Sequence, residues 1–237
     1  MKNRIAFFAL LITLQSCDSE SKKQQQVQSG KILESQSAPI KENKIIQPVH
    51  INIDEIPSEI KYEGKIKNAV RWTDQLGDHI VMTSETGIYR SKKFTHESDG
   101  GDAEIFAYHF IASNGIFKQK WRVYDFISDC PVDIVAEFVD KTFQITDLDD
   151  NGIAEIWLMY KTVCHGDVSP SDMKIIMYEG QQKFAIRGET TVMYGIDDKG
   201  QKMYEGSDYK IDDAFTKGPT VFLEFAKKLW AKHIVKT

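Results

Sequence analysis

The chain is short of several things, and each shortage closes off a class of protein. It has no basic excess: 30 Lys and Arg stand against 35 Asp and Glu, a formal net charge of −5. No basic stripe interleaved with aromatics occurs either, so the electrostatic footprint of a nucleic-acid-binding surface is missing. Nothing after Cys17 is apolar for long enough to span a bilayer as a helix. Only three cysteines occur, at 17, 130 and 164, and residues 18–44 contain no aromatic side chain at all. No G-x-S-x-G nucleophile elbow surrounds either Ser169 or Ser171.

What is present begins with MKNRIAFFALLITLQSC. Lys2 and Arg4 precede an apolar run from Ile5 to Leu14, the size of a signal-peptide core and too short for a mature transmembrane span. Leu14-Gln15-Ser16-Cys17 resembles the lipobox of bacterial lipoproteins, in which the cysteine is acylated and becomes the first mature residue. That resemblance implies a signal peptide at 1–16, lipidation of Cys17 and membrane attachment through several acyl chains, which anchor a protein where one chain does not. An ordinary secretory signal cleaved elsewhere is the alternative. Residues 17–45 are rich in Ser, Gln, Lys and Glu, bury too little apolar surface to offset the entropy of ordering them, and are expected to form a flexible tether. Residues 46–237 are enough for one domain with a sizeable core.

With Cys17 taken by lipid, Cys130 and Cys164 form an even pair in an exported domain, where disulfides persist, and a bridge between them is expected. Two unrelated buried thiols are the competing reading. Short segments dense in β-branched and aromatic residues, such as HIVMTSETGIYR (79–90) and EIFAYHFIASNGIFKQKWRVYDFI (104–127), predict a mainly β, β-rich α+β fold. Turn sequences such as Ser113-Asn114-Gly115 and Asp150-Asn151-Gly152 separate them and are too short for parallel crossovers, so antiparallel hairpins follow. The tail GPTVFLEFAKKLWAKHIV instead repeats at helical spacing, with Val221, Phe222, Phe225, Ala226, Leu229, Trp230, His233 and Ile234 on one stripe. It predicts a C-terminal amphipathic helix on the sheet, with Trp230 in the core and His233 as a cation near the helix end.

The segment ITDLDDNGIAEI (145–156) carries the most chemistry. Counted from Asp147, Asp149 stands at position three, Asn151 at five, Gly152 at six, the Ile153 carbonyl at seven and Glu155 at nine. Oxygen donors on alternate residues around a sharp glycine bend are the pattern of a calcium loop. Leu158 occupies position twelve, where an EF-hand needs a bidentate glutamate, and strand-like flanks replace helices. The segment resembles the hairpin calcium loops of FG-GAP and VCBS repeats, which implies a structural calcium ion held by Asp147, Asp149, Asn151, Ile153 and Glu155. A metal-free turn explains Asn151-Gly152 but not the alternating acids. RWTDQLGDHIVMT (71–83) shares Thr-Asp, a glycine and a following strand with this segment.

The next loop collects Cys164, His165, Asp167, Ser169 and Ser171. A hydrolase centre with His165 as base competes there with a turn in which Asp167 and Ser169 satisfy the backbone. Taken together, WTDxxG, DCPxD, ITDLDDNGIAEIW, YKxVCHGDVSPSxMK and the terminal tryptophan helix resemble a family of bacterial envelope lipoproteins, some named for surface polysaccharide biosynthesis. The resemblance implies an outer-membrane lipoprotein, periplasmic or surface-facing, whose partners are polysaccharide or envelope proteins, and it implies no catalytic residue. Two classes of function are expected: a non-enzymatic binding or assembly protein, or an envelope hydrolase acting on polysaccharide. The second needs two acids facing each other at roughly 5 to 10 Å, for which Asp125, Asp129, Asp133 and Glu137 are the candidates.

Overall fold

The structure, a computed structural model, describes residues 46–235, all within the unit spanning 42–237. The signal segment, Cys17 and the tether lie outside the described residues. The strands are β1 (Val49–His50), β2 (Lys65–Asp74), β3 (Gly77–Glu85), β4 (Gly101–Ser113), β5 (Ile116–Cys130), β6 (Ile134–Phe138), β7 (Gln144–Thr146), β8 (Glu155–Cys164), β9 (Asp172–Glu179), β10 (Gln182–Glu189), β11 (Thr191–Ile196), β12 (Lys202–Gly206) and β13 (Tyr209–Ile211). Two helices follow, α1 (Asp213–Lys217) and α2 (Thr220–His233). The fold is mainly β, as the sequence predicts, and every pair of named strands is antiparallel.

β1 to β5 form a meander in chain order, and a second sheet runs β13-β10-β9-β8-β6 with β7 also bonded to β8. Local chemistry sets the hairpins. Asn114 and Gly115 both take positive φ, 54° and 78°, the pair of values that a two-residue turn matching strand twist demands. The two sheets face each other across one core: Val70, Trp72, Val81, Ile105, Ala107 and Trp121 from the first meet Ile156, Leu158, Tyr160 and Ile176 from the second. Alternate residues of the same strands point outward and are covered as well. Ile80, Met82, Phe106 and Tyr108 lie under Ile51, Ile56, Ile60 and Tyr62 of the N-terminal segment. Trp157, Met159, Met173, Ile175 and Met177 lie under the helices. Because both faces are dry, β8 reads IWLMY with no polar alternation.

α2 lays Phe222, Ala226, Leu229 and Trp230 on the second sheet, the stripe its spacing predicts. Trp157 meets Phe225 at 4.6 Å between ring centroids, beneath this helix. His233 departs from expectation. Burial, then Lys232 and Lys161, hold its pKa below the usual range, which disfavours the cationic form at the helix end. Among the described residues, no helix is long and apolar enough to cross a membrane.

Candidate metal centre

The loop between β7 and β8 brings Asp147, Asp149 and Glu155 together, each placing an oxygen within 4.8 Å of the others. Period-two geometry puts Glu155, the first residue of β8, on the same face as Trp157, and the covering helix side leaves it fully buried. Its carboxylate accepts from Thr146 Oγ1 at 2.6 Å and from Leu148 N at 3.0 Å. Thr146 in turn accepts from the Trp157 indole at 2.8 Å, which ties the acid to the helix-side core. Asp147 Oδ2 accepts from Gly152 N at 3.0 Å, whereas Asp147 Oδ1 is buried and has no hydrogen-bond partner. Asp149 accepts from the Asn151 backbone and side-chain nitrogens, and Asn151 Oδ1 accepts from Ile153 N at 2.8 Å. Gly152 carries φ +78°, and a Cβ there would displace the Gln75 amide packed against it.

The site's electrostatics follow from this crowding. Burial pushes the Glu155 carboxyl up to about 7; Asp149 and Asp147 add to the rise, and the bonds from Thr146 and Leu148 oppose it. Hard oxygen donors, a buried lone oxygen on Asp147 and mutually repelling acids are the donor chemistry that suits a hard divalent cation. The acidic triad can thus hold a metal ion. The Asn151 amide, however, presents its nitrogen to the acids and its oxygen to the Ile153 backbone, so ligation through that oxygen requires the amide to turn. Ile153 sits half-buried at the bend between Gly152 and Ala154.

The structure also brings together what the sequence only hinted at. The turn after β2 docks on this loop: Gln75 Nε2 donates to the Asn151 carbonyl at 2.9 Å, Gln75 N to the Gly152 carbonyl at 3.2 Å, and Ala154 N donates to Asp74 Oδ2 at 3.1 Å. The two Thr-Asp hairpins therefore meet and join the two sheets. Asp74 further accepts from Leu76 N, the Trp72 indole and His79 Nε2, and His79 Nδ1 lies 2.8 Å from His109 Nε2. Burial alone would raise the Asp74 pKa, but the bonds from His79, Ala154 and Leu76 overcome it and hold the acid at about 2. Burial drives His109 down to about 3, so its ring is neutral. Trp72, His79 and His109 stack, with ring planes within 14° of parallel. His79 and His109 were not singled out by sequence reasoning. Their signal was faint: single histidines beside apolar runs, Ile80–Met82 after one and Ile105–Tyr108 before the other.

Around the second loop, Cys130 and Cys164 form the expected disulfide, with Cα atoms 5.8 Å apart. His165 Nδ1 lies 3.7 Å from Asp167 Oδ1, while Ser169 Oγ donates to the same Asp167 oxygen at 2.6 Å. The acid thus stands between serine and histidine, whereas a catalytic triad places the histidine next to the serine, and the Ser169–Asp167 bond is the kind that shapes a turn. Asp125 pairs with Lys174, and Asp129 accepts from the backbone nitrogens of Glu97 and Ser98. Compared with protein-family models, with curated proteins and with solved structures, the chain matches none.

Proposed function

We propose that this chain is a lipid-anchored protein of the bacterial cell envelope whose β domain is stabilised by a structural calcium ion and which binds rather than transforms its partner. The observation that carries the metal reading is Asp147: a buried carboxylate oxygen with no donor, facing a fully buried Glu155, in a loop whose oxygen spacing is that of a hairpin calcium site. Asp147, Asp149 and Glu155 would hold the ion with Asn151 and the Ile153 carbonyl, and the ion would supply charge neutralisation in the seam where the two sheets join. The disulfide at Cys130 and Cys164 supports an oxidising compartment. Cys17 after its apolar leader supports acylation and an outer-membrane lipoprotein, and the envelope-family resemblance supports surface polysaccharide or an envelope protein as the partner.

A ligand that binds only the native state raises stability with its concentration. Thermal unfolding of the purified chain in a chelator, then with millimolar calcium or magnesium, is expected to show a calcium-selective rise in Tm. Equal melting under all three conditions removes the metal from this reading. Metabolic labelling with an alkyne fatty acid is expected to mark wild type and not Cys17→Ala.

A further inference from the structure

We propose that Glu179, on a different hairpin, is an additional ligand of the same ion, which makes the centre a clamp between the β7–β8 loop and the β9–β10 hairpin. The inference rests on the calcium reading above. Glu179 is the last residue of β9, and in the β8–β9 register it is the direct partner of Glu155. Directly opposed residues of an antiparallel pair project to the same face with Cβ atoms about 5 Å apart, and like charges so placed repel. Among the described residues, the ion pairs include none of Asp147, Asp149, Glu155 or Glu179.

Glu179 is nevertheless drawn to the loop. Its Oε1 accepts from Asn151 Nδ2 at 2.6 Å, and the same nitrogen donates to Asp149 Oδ2 at 3.1 Å. One amide group therefore bridges an acid of the loop and the acid of the neighbouring hairpin. Asp147 Oδ1, buried and without a donor, is the independent sign that a positive group is wanted here. Donor arithmetic agrees. Taking one oxygen each, the loop offers Asp147, Asp149, Asn151, Ile153 and Glu155, and Glu155 already accepts from Thr146 and Leu148. Calcium takes about six to eight oxygens, so the five of the loop leave room for a further carboxylate. Turning the Asn151 amide to offer its oxygen releases Glu179 from that nitrogen and frees its carboxylate to ligate. Gly180, with φ +56°, makes the turn that ends β9 at this point.

The test uses the full chain purified in detergent and stripped of metal. Calcium affinity is measured by calorimetry for wild type, Glu179→Ala and Asp149→Asn, and europium(III) luminescence lifetimes in light and heavy water count the waters on the bound ion. The expected result is a loss of affinity of about tenfold or more in both variants and about one additional bound water in Glu179→Ala, because alanine leaves no oxygen donor and solvent takes its place. A merely electrostatic contribution lowers affinity without changing hydration. Wild-type affinity, or an unchanged hydration number, in Glu179→Ala overturns the inference and leaves the calcium reading standing. Failure of the wild type to bind calcium overturns both.

Discussion

Substituting Glu155→Gln separates the charge of the loop from its packing. In metal-free protein the Glu155 carboxyl is buried and its pKa rises from 4.5 to about 7. The folded state therefore holds this proton more tightly than the unfolded chain does. The associated stability is fully present below about pH 4.5 and is lost as pH rises through about 7, where an uncompensated anion must sit in the core. A rise from 4.5 to about 7, at about 1.4 kcal/mol per pH unit, is worth roughly 3 kcal/mol. Glutamine keeps the shape and cannot ionise. Urea unfolding in a chelator is thus expected to show the variant gaining on wild type by roughly 3 kcal/mol between pH 4.5 and 8. Calcium at pH 8 should reverse the comparison, stabilising wild type and leaving the variant nearly unmoved. A difference between the two proteins that is independent of pH in the chelator would refute the placement of this charge.

Replacing both Cys130 and Cys164 by serine opens a loop with a sequence separation of 34, and the chain-entropy estimate puts the loss near 4 kcal/mol, read as a lower urea midpoint under non-reducing conditions. Asp74→Asn tests the seam from the acid side. The folded pKa of about 2 lies below the ordinary 3.8, so this group's stabilisation is present above about pH 4 and is lost as pH falls through about 2. The variant should be about 2 kcal/mol less stable at pH 7, with the gap closing on acidification; an equal gap at pH 2 and 7 would contradict the account.

Elements were legible where a local period or a turn dipeptide speaks for itself. Asn114-Gly115 announced its hairpin, and Phe222, Ala226, Leu229 and Trp230 announced a helix face, because both signals are written within a few residues. The layering was not legible. In β8 and β9 both faces are buried, so the polar alternation that would separate inside from outside is absent, and a two-sheet core looks the same as one thick hydrophobic strand set. α1 was missed for a different reason: five residues carry no helical period, and its start depends on Asp212 accepting from Phe215 N.

The candidate metal centre divides in the same way. Asp147, Asp149, Asn151 and Glu155 could be read from a contiguous stretch, because a loop that folds back on itself writes its donors at fixed intervals along the chain. Glu179 and Asp74 could not. One arrives through the register of β8 with β9, the other through the packing of a turn 80 residues earlier against Ala154. The sequence by itself determined strand type, the hairpin turns, the helix face, the cysteine pair and the oxygen spacing of the loop, all of which depend on neighbours along the chain. Only the tertiary structure decided which face of each strand meets which layer, that two Thr-Asp hairpins meet at one seam, and that Glu155 stands opposite Glu179 there. Burial and cross-strand register are properties of the assembled sheets, and no window of residues contains them.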